Sequence, residues 1–252
     1  MPSTLGIVAS GAGVFSPLDL SPFIWLDGSD TSTITASGGA VSQWSDKSGN
    51  GKNVSEGTAS LQPKTGTTTL NGLNVISFDG TDRLAAATAS DWNFLVDGTQ
   101  HLFAAVLRSS TSSVNQIAFS TQTSATTAGW RWGHLSTNVY QHFVRNATTT
   151  VVANEVSTSG TSAYVVTLLS DAGNATAADR SAFAINGGSL VKNNTATAAP
   201  PASAAQLYLG QRAATLPWTG YIAEVVIVSG AKATETNRQT LRDYLNSKWA
   251  VY

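Results

Sequence analysis

The chain has 252 residues, a formal net charge of −1, 42% hydrophobic and 12% charged residues, and no cysteine. The missing thiols exclude a disulfide framework, a thiolate metal site and a cysteine nucleophile. No basic excess exists to displace counterions from a phosphate backbone, which argues against nucleic acid as a partner. The apolar fraction and seven Trp suffice to build a core, so the low charge does not signal disorder.

The first twenty residues, MPSTLGIVASGAGVFSPLDL, carry no Lys or Arg ahead of their apolar stretch, and Gly and Ser interrupt it. They make a poor signal peptide. Residues 1–20 read as an N-terminal arm, docked on a partner or frayed. No run of about 18 apolar residues follows, so no membrane insertion is expected. Residues 21–252 show a single composition regime and no internal repeat, and are expected to form one domain.

Within that domain strand signals dominate. Short runs rich in Val, Ile, Phe, Tyr, Trp and Thr alternate with Gly, Asn, Asp and Ser clusters. Strands are expected at Phe23–Asp27, Val41–Trp44, Leu73–Phe78, His101–Arg108, Asn115–Ser120, Gly129–Leu135, Asn138–Arg145, Tyr164–Ser170, Ala182–Asn186, Gln206–Gln211 and Tyr221–Val228. Turns are expected at Ser48-Gly49-Asn50-Gly51, Asn71-Gly72, Asp79-Gly80, Asp97-Gly98 and Asn186-Gly187-Gly188, where Gly and Asn supply positive φ. Asn193–Ala205 is a low-complexity loop that Pro200-Pro201 bars from regular structure. The chain closes on an amphipathic helix, 234–249. Thr234 is its cap, Glu235 complements the dipole, and Leu241, Leu245 and Trp249 form an apolar stripe beside Tyr244. This many strands at this spacing predicts an all-β fold of two stacked antiparallel sheets with one C-terminal helix.

Four segments, in order, carry a family resemblance: PFIWLDGSDTSTI (Pro22–Ile34), VSQWSDKSGNGKN (Val41–Asn53), LNGLNVISFDGTDRL (Leu70–Leu84) and GYIAEVVIVS (Gly220–Ser229), the last followed by DYLNSKWAV (Asp243–Val251). Together they resemble the concanavalin A-like lectin/glucanase superfamily, specifically the laminin-G-like jelly rolls of phage structural proteins and bacterial surface proteins. The resemblance implies a jelly-roll β-sandwich. Where the family often has two Asp after the FDG turn, this chain has Arg83 in the second position. Trp25 and Trp44 read most simply as core anchors.

No enzyme activity is expected. Glucanases of the superfamily carry two Glu and an Asp alternating on one strand, and no stretch here has that spacing. Glycosidases need a carboxylate pair, whereas Glu56, Glu155, Glu224 and Glu235 are isolated in sequence. No zincin, P-loop or nucleophile-elbow motif is present.

Two site readings stay open. Asp27, Asp30, Asp46, Asp79 and Asp82 lie in loops flanking strands, where the resemblance implies a calcium site and local chemistry implies Asx turns. The segment WRWGHLSTNVYQHF supplies the glycan candidates Trp130, Arg131, Trp132, His134, Tyr140 and His142. A hairpin turning at Ser136-Thr137 places Trp130, Trp132 and His134 on one face with Val139, Gln141 and Phe143. Arg131, Tyr140 and His142 then take the other face. A one-residue shift of the turn changes which set is exposed. Arg108, Arg145, Arg180 and Arg212 are scattered in sequence.

The expected function is that of a non-catalytic phage virion protein: a head or tail decoration, fibre or tip. It would contact other virion proteins, and its lectin-like domain would reach host-surface polysaccharide. Low surface charge suits a homo-oligomer or a lattice-bound subunit. The alternative is a carbohydrate-binding module of a bacterial extracellular or cell-surface protein.

Overall fold

A computed structural model describes residues 14–252, except 112–113, 137, 147–149, 159–160, 194–195 and 198–203. The first thirteen residues of the expected arm, Thr137 of the expected turn and most of the Pro200-Pro201 loop lie outside the described residues. In chain order the strands are β1 (Ile24–Asp27), β2 (Ile34–Ser37), β3 (Ala40–Trp44), β4 (Val54–Ser55), β5 (Thr69–Leu70), β6 (Leu73–Asn74), β7 (Ile76–Asp79), β8 (Leu84–Ala86), β9 (His101–Ser109), β10 (Gln116–Ser120), β11 (Gly129–Ser136), β12 (Val139–Arg145), β13 (Thr150–Ser157), β14 (Ala163–Ser170), β15 (Ser181–Ile185), β16 (Val191–Lys192), β17 (Tyr208–Leu209) and β18 (Thr219–Ser229). One helix, α1 (Glu235–Trp249), ends the fold.

The strands form two large antiparallel sheets and one small hairpin. One sheet has the order β1-β18-β9-β14-β15-β16, with β7 also paired to β18. The other runs β13-β12-β11-β10-β17-β8-β4-β3-β2. β5 and β6 pair across Asn71-Gly72, whose φ values of 49° and 82° suit a two-residue hairpin loop.

Three layers result. Between the sheets lies a core of Ile24, Leu26, Trp44, Trp92, Phe103, Phe119, Trp130, Trp132, Phe183, Trp218 and their neighbours. A second core, built on Trp25, Leu102, Ala104, Val106, Val226 and Val228, lies under α1. The seven-stranded sheet is thus covered on both faces. This is why β18 reads as an almost unbroken apolar run. Trp44 anchors the first core and Trp25 the second.

The helix begins where its sequence says. Thr234 accepts the N–H of Asn237 through Oγ1 at 3.2 Å, and Leu241, Leu245 and Trp249 are fully buried. Each such aliphatic side chain contributes roughly 1.5–3 kcal/mol of burial. Ala250, in the left-handed region, ends the helix by donating its N–H to Asn246 O. The last stretch of the expected arm joins the domain. Ser16 caps a short 3₁₀ turn at Pro17–Leu20, Phe15 packs edge-on against Tyr244, and Leu20 is buried.

Candidate functional site

The β11–β12 hairpin has a register one residue away from the expected one. Trp132 lies opposite His142 and His134 opposite Tyr140, with a bulge between His134 and Ser136. The extra residue swaps the faces of one strand relative to the other. Trp130, Trp132, His134, Tyr140 and His142 therefore all point into the fold and are buried. Tyr140 stacks on Trp132 at 4.8 Å and meets Tyr164 of the facing sheet edge-on. His142 Nδ1 shares a 2.7 Å hydrogen bond with Ser181 Oγ, tying the two sheets together. Burial holds the His134 and His142 imidazoles below their ordinary pKa. Of the six glycan candidates, only Arg131 faces outward.

The five aspartates are likewise spent on structure. Asp27 is buried and takes the ammonium groups of Lys47 at 3.0 Å and Lys248 at 2.7 Å. Asp30 pairs with Lys47 at 2.7 Å. Asp46 accepts the N–H groups of Trp25, Ser48 and Lys52, which fastens the loop after β3 to β1. Asp79 accepts from Thr81, and Asp82 accepts the N–H of Asp79 at 3.0 Å. These carboxylates do not converge on one point and already hold cations or N–H donors. Among the described residues no group of three or more His, Asp or Glu is placed to hold a metal ion. The donor set does not fit calcium, which wants six to eight oxygens.

The outward face of the nine-stranded sheet supplies a different site. Register places Gln43, Ser55, Ala85, Tyr208, Ser120, Arg131 and Phe143 in one row across seven strands. In the middle of that row lies a groove of about 410 Å³. Ser55, Glu56, Arg83, Ala85, Gln206 and Tyr208 line it, with Ala213 and Ala214 at its rim. Glu56 and Arg83 form an ion pair, and Thr58 donates its N–H to Glu56 Oε1 at 2.8 Å. Burial raises the Glu56 pKa, but Arg83 and Thr58 outweigh it and hold the carboxyl below its ordinary range. Glu56 is thus an acceptor at neutral pH, Arg83 a forked donor, and Tyr208 a half-exposed ring between them and Arg131.

The rim is strained. Arg212 and Thr215 exchange backbone hydrogen bonds at 2.9 and 2.8 Å, closing a two-residue loop of Ala213 and Ala214. Both positions have positive φ, 38° and 70°, as in a type I′ turn. Alanine tolerates that region at a cost of about 1 kcal/mol per residue. Local strain of this kind collects at binding sites.

Arg212 and Arg145, distant in sequence, lie near enough for their charges to act on Arg131. Arg131 stacks on the Phe143 ring at 3.9 Å and donates to Gln141 Oε1 at 3.3 Å. Burial first, then the charges of Arg212 and Arg145, lower its pKa to about 10. Sequence reading missed Glu56, Arg83, Tyr208 and Arg212 as one site. They come from three separate segments, and only the pairing of β4, β8 and β17 unites them.

No protein-family model and no curated protein matches the chain. Solved structures do. The chain is similar to the botulinum neurotoxin serotype D/C binding domain at 14% identity and TM-score 0.59, over 92% of this chain and 53% of that one. It is similar to the serotype G binding domain at 14% identity and TM-score 0.60, over 90% and 51% of the two chains. A GH54 α-L-arabinofuranosidase soaked with a cyclic sulfate inhibitor matches at 13% identity and TM-score 0.59, over 90% and 59%. The chain spans between half and three fifths of the length of these neighbours. At such identities the likeness is one of fold: an antiparallel β-sandwich.

Proposed function

We propose that this chain is a glycan-binding β-sandwich that holds a saccharide in the groove on the outer face of the nine-stranded sheet, without cleaving it. The observation that carries this reading is the groove itself. A half-exposed tyrosine ring lies beside a guanidinium–carboxylate pair, which offers an apolar surface for a sugar face and fixed donors and acceptors for hydroxyls. Glu56 is the single carboxylate lining it, and Arg83 occupies that carboxylate. Hydrolysis calls for two carboxyl groups in different protonation states.

The neighbours accord with a binding role. One neurotoxin structure is described by a cell entry that depends on two ganglioside molecules. Another binding domain is in complex with SialylT, and a third with rat synaptotagmin II.

As for the setting, we propose a phage particle, on the head or tail, with a bacterial extracellular or cell-surface protein as the alternative. A chain with 12% charged residues suits broad contact with neighbouring subunits, and many weak sites on one particle give avidity. Co-sedimentation with purified particles supports the virion setting. Monovalent glycan binding by a free monomer that never joins particles supports the alternative.

The test of binding is a glycan array followed by titration calorimetry. Wild type binds at least one saccharide, and Tyr208→Ala weakens that binding about tenfold or more at an unchanged melting temperature. Equal binding by wild type and Tyr208→Ala removes the groove from consideration.

A further inference from the structure

We infer that Arg131 and Arg212 form an anion subsite next to the groove, so that the preferred ligand is an acidic glycan, one bearing a carboxylate or sulfate. This inference rests on the groove reading above and extends it to ligand class.

Position comes first. Tyr208 and Arg131 lie in the same outward row, with Ser120 of β10 between them, so they stand two strands or about 10 Å apart. Ala213 and Ala214, which form the groove rim, directly follow Arg212. A sugar seated on Tyr208 therefore has its next unit or substituent within reach of Arg131, and Arg212 begins the loop that lines the same groove.

Charge comes second. Among the described residues the ion pairs use Lys47, Lys52, Arg83, Lys192, Arg238, Arg242 and Lys248. Arg131 and Arg212 are in none of them. Arg212 is 8% exposed and bonds through Nε to Thr215 Oγ1 of its own loop. Arg131 is held by the Phe143 ring and the Gln141 amide, and Gln141 in turn donates to Glu155 at 2.9 Å. Glu155 thus acts on the cluster through one amide, as an orienting group. Two partly buried guanidiniums that repel each other and lack a carboxylate are expensive to keep. An anion placed between them would supply charge-assisted, bidentate hydrogen bonds that offset the cost. The Phe143 ring keeps the Arg131 fork flat and limits the rotamer freedom lost on binding.

The test uses four probes: lactose, sialyllactose, sulfolactose and a galacturonate hexamer. Calorimetry is run at low salt and at about 0.5 M NaCl, where exposed charges are screened within a few ångströms. At least one charged probe is expected to bind about tenfold more tightly than lactose, with the advantage shrinking in salt. Sialyllactose or the hexamer identifies a carboxylate ligand, and sulfolactose a sulfate. Arg131→Gln and, independently, Arg212→Gln erase the advantage, while Arg131→Lys retains part of it. Melting temperatures confirm that the variants fold. If lactose and the charged probes bind alike, the anion subsite is overturned and the glycan groove stands. If none of the four probes binds and Tyr208→Ala changes nothing on the array, both readings fall.

Discussion

The indole N–H of Trp249 donates to Glu224 Oε2 at 2.7 Å, so the last residue of the helix is fixed to β18 by a buried carboxylate. Glu224 is fully buried, and its Oε1 takes the Trp25 indole at 2.8 Å and the Tyr244 hydroxyl at 3.1 Å. Lys248 bridges Glu224 and Asp27, each at 2.7 Å. A bulge between Ile222 and Glu224 in the β18–β9 pairing turns this side chain towards the helix, on the same side as Ala223. Burial and Asp27 raise the Glu224 pKa against the pull of Lys248 and Trp249.

Glu224→Ala strands two indoles, a phenol and an ammonium in the helix–sheet layer. It should cost about 3–5 kcal/mol, the range for breaking a buried charge pair. Glu224→Gln keeps two polar positions and should cost less. Urea unfolding of the three proteins checks the order, and equal midpoints would show that the carboxylate does not hold the helix.

The Ala213-Ala214 loop predicts a gain. Replacing it with Asn-Gly removes the penalty of positive φ at both positions and should stabilise the fold by about 1 kcal/mol or more. Thermal unfolding reads this directly. A lower melting temperature would mean that the loop does not adopt this turn.

Acid should weaken the fold before the ordinary carboxylates titrate. Burial lowers His101 to about 4, and burial together with His101 pushes His142 well below its ordinary value. Both stay neutral in the folded state, whereas the unfolded chain takes up protons near pH 6.5. Stability is therefore complete above about 6.5 and declines as pH falls towards 4, by about 3 kcal/mol for His101 alone. Unfolding midpoints at pH 7.5 and 5 measure the slope, and His101→Gln should flatten it. A flat wild-type profile would contradict the burial of these rings.

Asp82 works in the opposite direction. Burial lifts its carboxyl to about 6, so its contribution is present below about 3.8 and is lost as pH rises through 6. Asp82→Asn keeps an acceptor for the Asp79 N–H and should stabilise the protein at pH 8 by about 1 kcal/mol while changing little at pH 4. Destabilisation at pH 8 would argue for an ionised Asp82 that the fold needs.

Much of the framework was legible in the sequence because local chemistry determined it. Thr234, Leu241, Leu245 and Trp249 announce the helix, and Asn71-Gly72 marks a hairpin. His101–Ser109 and Thr219–Ser229 fall within two residues of the expected strands at each end. β13, an edge strand reading TVVANEVS, escaped notice because it has no period-2 alternation to mark it. Leu73–Phe78 reads as one strand but is two, Leu73–Asn74 paired in the small hairpin and Ile76–Asp79 paired with β18. Five of the six glycan candidates are buried, Arg131 alone facing outward. A bulge near Leu135 is invisible in the residue pattern, and one extra residue sends Tyr140 and His142 into the core. The groove was hidden more deeply, because Glu56, Arg83 and Tyr208 have no sequence spacing that links them.

The most direct measurement is amide chemical-shift mapping during titration with a saccharide chosen from the array. The shifts should concentrate at Ser55–Gly57, Arg83–Ala87, Gln206–Leu216 and Arg131, with the reverse face and α1 undisturbed. Saturable shifts centred on α1 or on the Asp27–Lys47 loops, with the nine-stranded sheet silent, would contradict a binding groove on this face.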